Sequence, residues 1–268
     1  MEIQLWREFL NPYRIAVDEL TLKFRHIAEE HQMRGRYSPI EEVTGRVKSI
    51  TSILDKMQRK NITMNELEDK MEDLAGVRII CQFVEDIERV RDIIRSRSDM
   101  RVKSEKDYLT HAKASGYRSY HMIVYYTVNL MDGPKEIRAE IQIRTLAMNF
   151  WATIEHSLQY KYKENTPEYI RKKLLDASNA IGTLDGVMSE VREEIMDAQT
   201  SHQKKEMLVR DILNNIQNLF RVANRAEVTK IQDEFYKVYL LDDLEQLEHF
   251  AGQLDVISEG HRAQSLNF

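Results

Sequence analysis

A run of alternating apolar and polar residues in the middle of the chain constrains the fold more than any other feature. Between residues 136 and 144, Ile and Ala alternate with polar side chains, which stand at Glu136, Arg138, Glu140, Gln142 and Arg144. A period of two residues indicates a β-strand with one face on a core and one face free. Carboxylate, amide and guanidinium groups together are an unusual mixture for a face that only meets water. The segment therefore predicts a strand that carries function.

A second acid stands at the mouth of another predicted strand. Asp73 lies just before the apolar run 75–83. Proteins normally hold Mg²⁺ with one or two carboxylates, together with substrate phosphates and water. Asp73 and Glu140, framed by arginines, therefore indicate a divalent metal that holds a polyphosphate. Either acid alone is more often a cap or a surface charge, so the hypothesis depends on the pair.

The composition favours a folded, helix-rich protein. The 268 residues are 42% hydrophobic and 31% charged, with 9 Gly and 4 Pro, which argues against collagen-like, disordered and disulfide-rich classes. The single Cys81 is expected to be a buried, inert thiol. A net charge of −5 provides no global field for coating nucleic acid. We find neither a signal peptide nor an apolar run of about 20 residues, and so expect a cytoplasmic protein that is not in the membrane.

Periodicity divides the chain into a mixed part and a helical part. Helices are predicted over 2–31, from Ser38-Pro39 to about residue 60, near 63–71, and over 86–97. Strands are predicted over 75–83, 100–108, 119–130 and 136–145, and Asp132-Gly133 predicts a hairpin between the last two. Everything after residue 146 is predicted to be helical, with separate helices at about 205–223 and 226–257.

A coiled-coil-like stripe lies within the first of the C-terminal helical segments. Its members are apolar residues spaced alternately four and three apart: Ile170, Leu174, Ala177, Ile181, Leu184, Met188, Val191, Ile195 and Ala198. Because a lone helix cannot keep such a stripe in water, the stripe is expected to pack on the domain, on another subunit, or on both.

The predicted second helix has an apolar face and a basic face. The apolar face comprises Val43, Val47, Ile50, Leu54 and Met57. The other face comprises Arg46, Ser49, Ser52, Lys56, Arg59 and Lys60. A basic stripe is usually a solvated helix face, but its position just before the acid-bearing strands favours the binding of a triphosphate.

Two further segments offer groups to a nucleotide. In 111–121, Gly116 permits a tight loop, Tyr117 offers a ring for base stacking, and three residues offer positive charge: Lys113, Arg118 and His121. In 149–156, three residues are expected in the core: Phe150, Trp151 and Ile154. Three others are placed to face a ligand: Asn149, Glu155 and His156. Taken alone, each segment favours an ordinary interpretation, a loop with solvated charges in 111–121 and a packed helix in 149–156.

Together these segments resemble the RelA/SpoT-type alarmone synthetase domain, specifically the stand-alone small alarmone synthetases of bacteria. The matching stretches are 39–48, 73–78, 115–121 and 140–156, in family order over roughly residues 1–200. The resemblance implies an α+β fold, with a mixed β-sheet of about four to five strands flanked by helices, of the nucleotidyltransferase (polymerase-β-like) type. The synthetase domain would span 1–200, and a helical C-terminal extension of unknown role would span 201–268.

The resemblance also implies a reaction, in which pyrophosphate passes from ATP to the 3′-hydroxyl of GDP or GTP to give ppGpp or pppGpp and AMP. Family positions make Asp73 and Glu140 the Mg²⁺ ligands, and Glu140 the acceptor of the hydroxyl proton. The implied ATP-binding residues are Arg46, Ser52, Lys56, Arg59 and Arg78. The implied GDP/GTP-binding residues are Lys113, Tyr117, His121, Gln142 and Asn149. A homotetramer is typical of the family, and the lack of a hydrolase His-Asp pair implies synthetase activity only.

Three residues depart from the branch of the family that pppGpp activates, so allosteric activation is not expected. Glu42 stands in place of an aromatic residue, and Thr21 and Arg25 stand in the first helix, which carries several basic residues in that branch. Two alternative functions stay open. One is a toxic relative that pyrophosphorylates tRNA or adenine nucleotides, against which the net charge argues. The other is a non-catalytic scaffold, against which the presence of both acids argues.

Overall fold

The computed structural model describes residues 2–162, 166–221 and 223–265, and the chain divides into two compact units, Met1–Ser189 and Glu190–Phe268. The strands are β1 (Glu42–Val47), β2 (Ala75–Cys81), β3 (Met100–Asp107), β4 (Tyr120–Leu130) and β5 (Gly133–Thr145). The first helices are α1 (Glu2–Met33), α2 (Ile50–Lys60), α3 (Leu67–Lys70, after a 3₁₀ turn at Met64–Glu66) and α4 (Val84–Ser96). The others are α5 (Leu146–Tyr162), α6 (Glu168–Leu219), α7 (Arg225–Leu240) and α8 (Leu244–Ser265).

The five strands form one mixed sheet in the order β1-β2-β5-β4-β3. β2 and β5 are parallel, and the other neighbouring pairs are antiparallel. Residues 133–145 form the central strand, and the hairpin predicted at Asp132-Gly133 joins β4 to β5. The fold class is therefore confirmed: a mixed sheet flanked by helices, followed by a long helical C-terminal region.

Burial along β5 follows the alternation in the sequence. Ile137, Ala139, Ile141 and Ile143 are buried, whereas Arg138, Glu140 and Gln142 are partly exposed. The apolar face contacts helices α1 and α4, and Leu20 and Phe24 of α1 are completely buried in the same core. Burial of one such side chain stabilises the fold by about 1.5–3 kcal/mol, and this fixes which face of the sheet is left for a ligand.

The first helix packs very closely on β1. A Cβ atom added at Gly45 would overlap side-chain atoms of Thr21 and Val17, so only glycine fits here. Arg25 donates from Nε and Nη2 to the carbonyl oxygen of Val43, at 3.3 and 3.0 Å. Thr21 and Arg25 thus both serve the packing of α1 on the sheet.

The predicted helix from Ser38-Pro39 to residue 60 is wrong in its first half. Residues 42–47 form β1, which pairs with β2 from Glu42 opposite Ile80 to Val47 opposite Ala75. The helix begins only at Ile50, because Ser49 is its N-cap and accepts a hydrogen bond from the Ser52 amide at 3.3 Å. The predicted apolar face also fails, since Leu54 is 48% exposed and Ile53 is the buried residue of α2.

The C-terminal helices differ from the prediction in their limits. α6 is a continuous helix of 52 residues, whereas a separate helix was expected from about residue 205. The helix predicted over 226–257 is two helices, because Asp242 takes a left-handed conformation (φ 57°) between them. Residue 222, inside the segment predicted as 205–223, lies outside the described residues.

The second unit has an apolar core of its own. Its members come from the end of α6, from α7 and from α8: Ile212, Ile216, Leu219, Val228, Ile231, Phe235, Leu247, Phe250 and Leu254. Of the stripe predicted in α6, Ile181 packs against the core of the first unit, whereas Leu184, Met188, Val191 and Ile195 are exposed. Within the described part of the chain, no helix is long and apolar enough to cross a bilayer.

Candidate active site

A cleft of about 670 Å³ lies over the polar face of the sheet. The strand register explains which side chains enter it. On β5, Glu140 lies opposite Gly76 of β2 and Ile123 of β4, and Gln142 lies opposite Arg78 and His121. Residues directly opposite one another in neighbouring strands point to the same face, so the sheet itself gathers these groups.

Most of the residues predicted to bind nucleotides line this cleft. They are Arg46, Lys56, Asp73, Arg78, Lys113, Tyr117, His121, Glu140 and Gln142. An adjoining pocket of about 250 Å³ shares Arg46, Asp73, Arg78, Glu140 and Gln142 with it. The structure thus brings the two predicted acids and both groups of cationic residues together in one place.

Three of the predicted residues do not line either pocket. The Ser52 hydroxyl accepts a hydrogen bond from the Ser49 hydroxyl at 2.9 Å, at the start of α2. Arg59 is exposed in the last turn of that helix. Asn149 lies on α5, and its buried Oδ1 has no hydrogen-bond partner. Their roles stay predictions.

Asp73 is held by two lysines. Lys48 Nζ lies 2.9 Å from Asp73 Oδ2, and Lys56 Nζ lies 2.8 Å from Asp73 Oδ1. Burial alone would raise the pKa of this carboxyl group, but hydrogen bonds from the two ammonium groups outweigh burial and lower it. Asp73 is therefore a carboxylate at neutral pH, with positive charge already placed around it.

Glu140 has two neighbours on the sheet. Oε1 lies 3.0 Å from His121 Nδ1, and Oε2 accepts a hydrogen bond from Gln142 Nε2 at 2.8 Å. Burial acts to raise the pKa of Glu140, and the negative charge of Asp73 adds to that effect. The contacts with His121 and Gln142 prevail, so the pKa lies below its usual value and the group is ionised.

Arg144 closes a ring of hydrogen bonds around Glu140. Its Nη2 donates to the Gln142 Oε1 at 2.9 Å and to the Tyr117 hydroxyl at 2.5 Å. That hydroxyl lies 2.8 Å from His121 Nε2, and His121 in turn contacts Glu140. Arg144 is only 4% exposed, so it fixes the positions of Gln142 and Tyr117 while itself largely shielded from solvent. It ends the alternating run in the sequence and was expected among the arginines that frame the two acids, although it was not assigned to either nucleotide.

Three guanidinium groups converge near the acids. Burial lowers the pKa of Arg78, and the positive charges of Arg144 and Arg46 lower it further. The Nε of Arg78 is buried and has no hydrogen-bond partner. Clustered like charges are unfavourable without a ligand, so this group is suited to an anion such as a polyphosphate.

The loop between β3 and β4, residues 108–119, is called the acceptor loop below. Lys113 Nζ lies 4.7 Å from the ring centre of Tyr117 and 4.6 Å from that of Tyr108. Lys113, Ser115 and Tyr117 all line the cleft. The loop thus presents an aromatic face and a positive charge side by side, which suits a nucleotide base and its phosphates.

Helix α5 closes another side of the cleft with Ala152, Thr153, Glu155 and His156. Burial raises the pKa of Glu155, although the positive charges of His156, Lys113 and Arg144 act to lower it.

Trp151 is buried as predicted, and its indole Nε1 donates a hydrogen bond to the carbonyl oxygen of Leu174 at 2.8 Å. The prediction that Phe150 and Ile154 belong to the core is wrong, since they are 65% and 40% exposed. The two residues are four positions apart and therefore lie on the same side of α5, which is the side exposed to solvent.

The donor set fits a magnesium ion bound with its substrate. Among the residues that the structure describes, no cluster of three or more His, Cys, Asp or Glu side chains can hold a metal. Asp73 and Glu140 nevertheless share the cleft, and each is an ionised oxygen donor. Two carboxylates completed by phosphate oxygens and water are a usual environment for Mg²⁺.

Comparison with known proteins identifies the family. Residues 45–165 match the region found in RelA / SpoT proteins. The chain is 49% identical to the GTP pyrophosphokinase YjbM of Bacillus subtilis over 206 residues, which are 77% of this chain and 97% of that protein. It is 39% identical to the GTP pyrophosphokinase YwaC of the same organism, over 71% of this chain and 91% of that protein.

Solved structures agree with the sequence comparison. A GTP pyrophosphokinase family protein from Streptococcus pneumoniae is 54% identical with a TM-score of 0.69, covering 72% of this chain and 96% of that one. Small alarmone synthetase 1 of Bacillus subtilis, bound to its product pppGpp, is 50% identical with a TM-score of 0.70, covering 72% of this chain and 98% of that one. About a quarter of the present chain has no counterpart in either structure. The chain therefore belongs to the RelA/SpoT-type GTP pyrophosphokinases, among the small alarmone synthetases.

Proposed function

We propose that this protein transfers pyrophosphate from ATP to the 3′-hydroxyl of GDP or GTP, releasing AMP and forming ppGpp or pppGpp. One observation carries the proposal: two ionised carboxylates, Asp73 and Glu140, share a cleft with cationic groups on β1, α2 and β2 on one side and an aromatic, basic loop on the other. Membership of the GTP pyrophosphokinase family supports the same reaction.

The two sides of the cleft suit two different nucleotides. Arg46, Arg78 and Lys56 form a cationic wall next to Asp73, and we assign them to ATP. Tyr117 and Lys113 of the acceptor loop and His121 of β4 lie on the other side of Glu140, and Gln142 lies next to it on β5. We assign these four residues to GDP or GTP. Glu140 then stands between donor and acceptor, where the reacting oxygen must lie.

The protein's part in the chemistry is alignment, charge neutralisation and removal of one proton. The 3′-oxygen forms a bond to the β-phosphorus of ATP, and the bond from that phosphorus to the oxygen bridging the α-phosphate breaks. AMP leaves with the electron pair of that bond. Glu140 accepts the proton of the 3′-hydroxyl, for which its ionised state is required.

Asp73 and Glu140 would hold the Mg²⁺, which when bound neutralises phosphate charge and orients the pyrophosphoryl group. Lys48 and Lys56 already occupy both oxygens of Asp73. Each of these oxygens keeps a second lone pair, so Asp73 could bind the metal while both lysines stay in contact with it.

We also propose that the protein is a homo-oligomer, specifically a tetramer, and that it works in the cytoplasm. The exposed apolar residues of α6, among them Leu184 and Met188, support a contact between subunits. The proposed substrates are nucleotides of the cytoplasm, which supports that location. The division at 200/201 into a synthetase domain and a helical extension also stays a proposal.

A pair of variants on one strand tests the assignment of Glu140. Glu140→Gln should lower AMP release at least 10²-fold, the range in which positioned acid–base groups act, while nucleotide binding persists. Glu136→Gln is the matched control, because Glu136 lies on the same strand and the same face but is exposed outside the cleft. An active Glu140→Gln enzyme would remove Glu140 from the mechanism.

A further inference from the structure

The tip of the acceptor loop is a tight turn built around Gly116. The Lys113 amide donates to the carbonyl oxygen of Tyr117 at 3.2 Å, and the Gly116 amide donates to the carbonyl oxygen of Lys113 at 2.8 Å. Gly116 has a φ of 91°, a conformation that favours glycine. This turn fixes the directions in which Lys113 and Tyr117 enter the cleft.

Helix α6 holds that turn from outside the cleft. The Ser178 hydroxyl donates to the carbonyl oxygen of Gly116 at 2.5 Å, and Ser178 is 2% exposed. A Cβ atom placed on Gly116 would lie 2.8 Å from Ser178 Cβ and 3.4 Å from Leu175 Cδ1. The loop backbone therefore lies directly on the surface of α6, with room only for a small hydrogen-bonding side chain at position 178.

A second contact to the same helix lies one turn further along. A Cβ atom placed on Gly182 would be 3.5 Å from the guanidinium carbon of Arg118, so Arg118 of the loop lies on α6. The nearby Asp185 is buried and accepts a hydrogen bond from Thr145 at 2.9 Å. Burial raises the pKa of Asp185, while Thr145 and the charge of Arg118 oppose the change. Residues 178, 182 and 185 are spaced four and three apart and thus form one face of α6.

We propose that Ser178 is a positioning residue for the guanine nucleotide, acting through the acceptor loop; this inference rests on the proposed function. Ser178 lines neither pocket, so its effect must pass through Gly116. A loop ordered in advance does not have to be ordered during binding, and this saves part of the binding free energy. Without the Ser178 contact, the acceptor loop must become ordered when GDP or GTP binds, and this free-energy cost weakens the binding of that nucleotide. ATP binding is spared, because Arg46, Arg78 and Lys56 lie on β1, β2 and α2.

The test compares Ser178→Ala with Thr183→Ala in the full-length protein. Both changes remove one hydroxyl from α6, but Thr183 is exposed and bonds only to the carbonyl oxygen of Asn179 in its own helix. Ser178→Ala should raise the KM for GDP or GTP, and the Kd of GDP measured by titration calorimetry without ATP, by about three- to tenfold, the worth of one hydrogen bond. The KM for ATP should match that of the control, whereas the Tm should fall by about 2–4 °C, because the change leaves the buried carbonyl oxygen of Gly116 without this partner. Ser178→Val, which adds bulk where Gly116 touches the helix, should raise the same two constants further.

Each outcome decides the matter. An unchanged Kd for GDP in both Ser178 variants overturns the inference, as does an equal rise in the KM values for ATP and the guanine nucleotide, because that would indicate a general loss of structure. If the unaltered protein binds neither GDP nor GTP and releases no AMP with either, the proposed function itself fails. If the unaltered protein binds GDP and Ser178→Ala does not weaken this binding, only the role of Ser178 is refuted.

Discussion

Tyr117 offers the sharpest prediction, because its ring and its hydroxyl have separate functions in the structure. The hydroxyl lies 2.5 Å from Arg144 Nη2 and 2.8 Å from His121 Nε2. The ring faces the cleft near Lys113, and we assign it to stacking on guanine. Tyr117→Phe removes the hydroxyl and keeps the ring, whereas Tyr117→Ala removes both.

The two variants should differ in where the loss appears. Tyr117→Phe would forfeit two hydrogen bonds of about 0.5–1.5 kcal/mol each, while Arg144 keeps Gln142 and Ser119 as partners. The free energy of unfolding should thus fall by about 1–3 kcal/mol, and the Tm by about 2–12 °C. The KM for GDP or GTP should change less than about threefold. In Tyr117→Ala, loss of a stack worth about 1–3 kcal/mol should raise that KM about 5- to 150-fold.

Thermal unfolding and steady-state AMP release measure these quantities, with Tyr125→Phe as the control because Tyr125 lies on β4 with its ring beneath Arg101 and outside the cleft. The KM for ATP should stay within about twofold in all three variants. The reasoning is refuted if Tyr117→Phe raises the KM for the guanine nucleotide as much as Tyr117→Ala does. It is equally refuted if Tyr117→Phe leaves the Tm unchanged, because the ring of hydrogen bonds around Glu140 would then contribute nothing to stability.

Three further predictions concern other parts of the molecule. Lys48→Met and Lys56→Met should each lower the free energy of unfolding by about 0.5–2 kcal/mol, and denaturant titrations should show that neither change has this effect in an Asp73→Asn background. Hydrogen bonds from Arg97 and Lys23 lower the pKa of Asp99, so the folded chain binds fewer protons than the unfolded chain below the ordinary carboxyl pKa of about 3.9. Stability should therefore fall as the pH drops through that value and below it. Asp99→Asn should reduce the slope of stability against pH in acid titrations, with Asp132→Asn at an exposed position as the control. Identical slopes for the two variants would contradict the assignment. A chain ended at residue 200 should still release AMP, because every residue of the cleft lies in the first unit; an inactive but folded truncation would show that the rest of the chain is needed for catalysis.

Much of the site was predictable because strand alternation is a strong local signal. Glu140, Gln142 and Arg144 repeat every second residue, which fixes their face without any knowledge of the fold. Asp73 and Glu140 were paired by the expectation of a shared metal ion, and β2, which begins just after Asp73, lies beside β5. The contact of Lys48 with Asp73 was not predicted, because it arises only through the turn from β1 to α2.

The errors arose where two periodicities overlap. Residues 42–47 contain β-branched side chains at spacings that also fit a helix, and the pairing of β1 with β2 decided the outcome. Arg46 consequently lies on the sheet rather than beside Ser52 and Arg59, which divides the predicted basic stripe. In the C-terminal part, the left-handed Asp242 ends one helix without a Gly or Pro to signal the break.

The central claim is the identity of the acceptor, and one experiment tests it directly. Purified protein is supplied with ATP and Mg²⁺ and then with GDP, GTP or bulk tRNA in turn, and the products are separated by anion exchange. We expect AMP to appear only with GDP or GTP, in equal amount to a new 3′-pyrophosphorylated guanine nucleotide, and to disappear when the metal is chelated. AMP release with tRNA alone, or no AMP with any acceptor, would contradict the account.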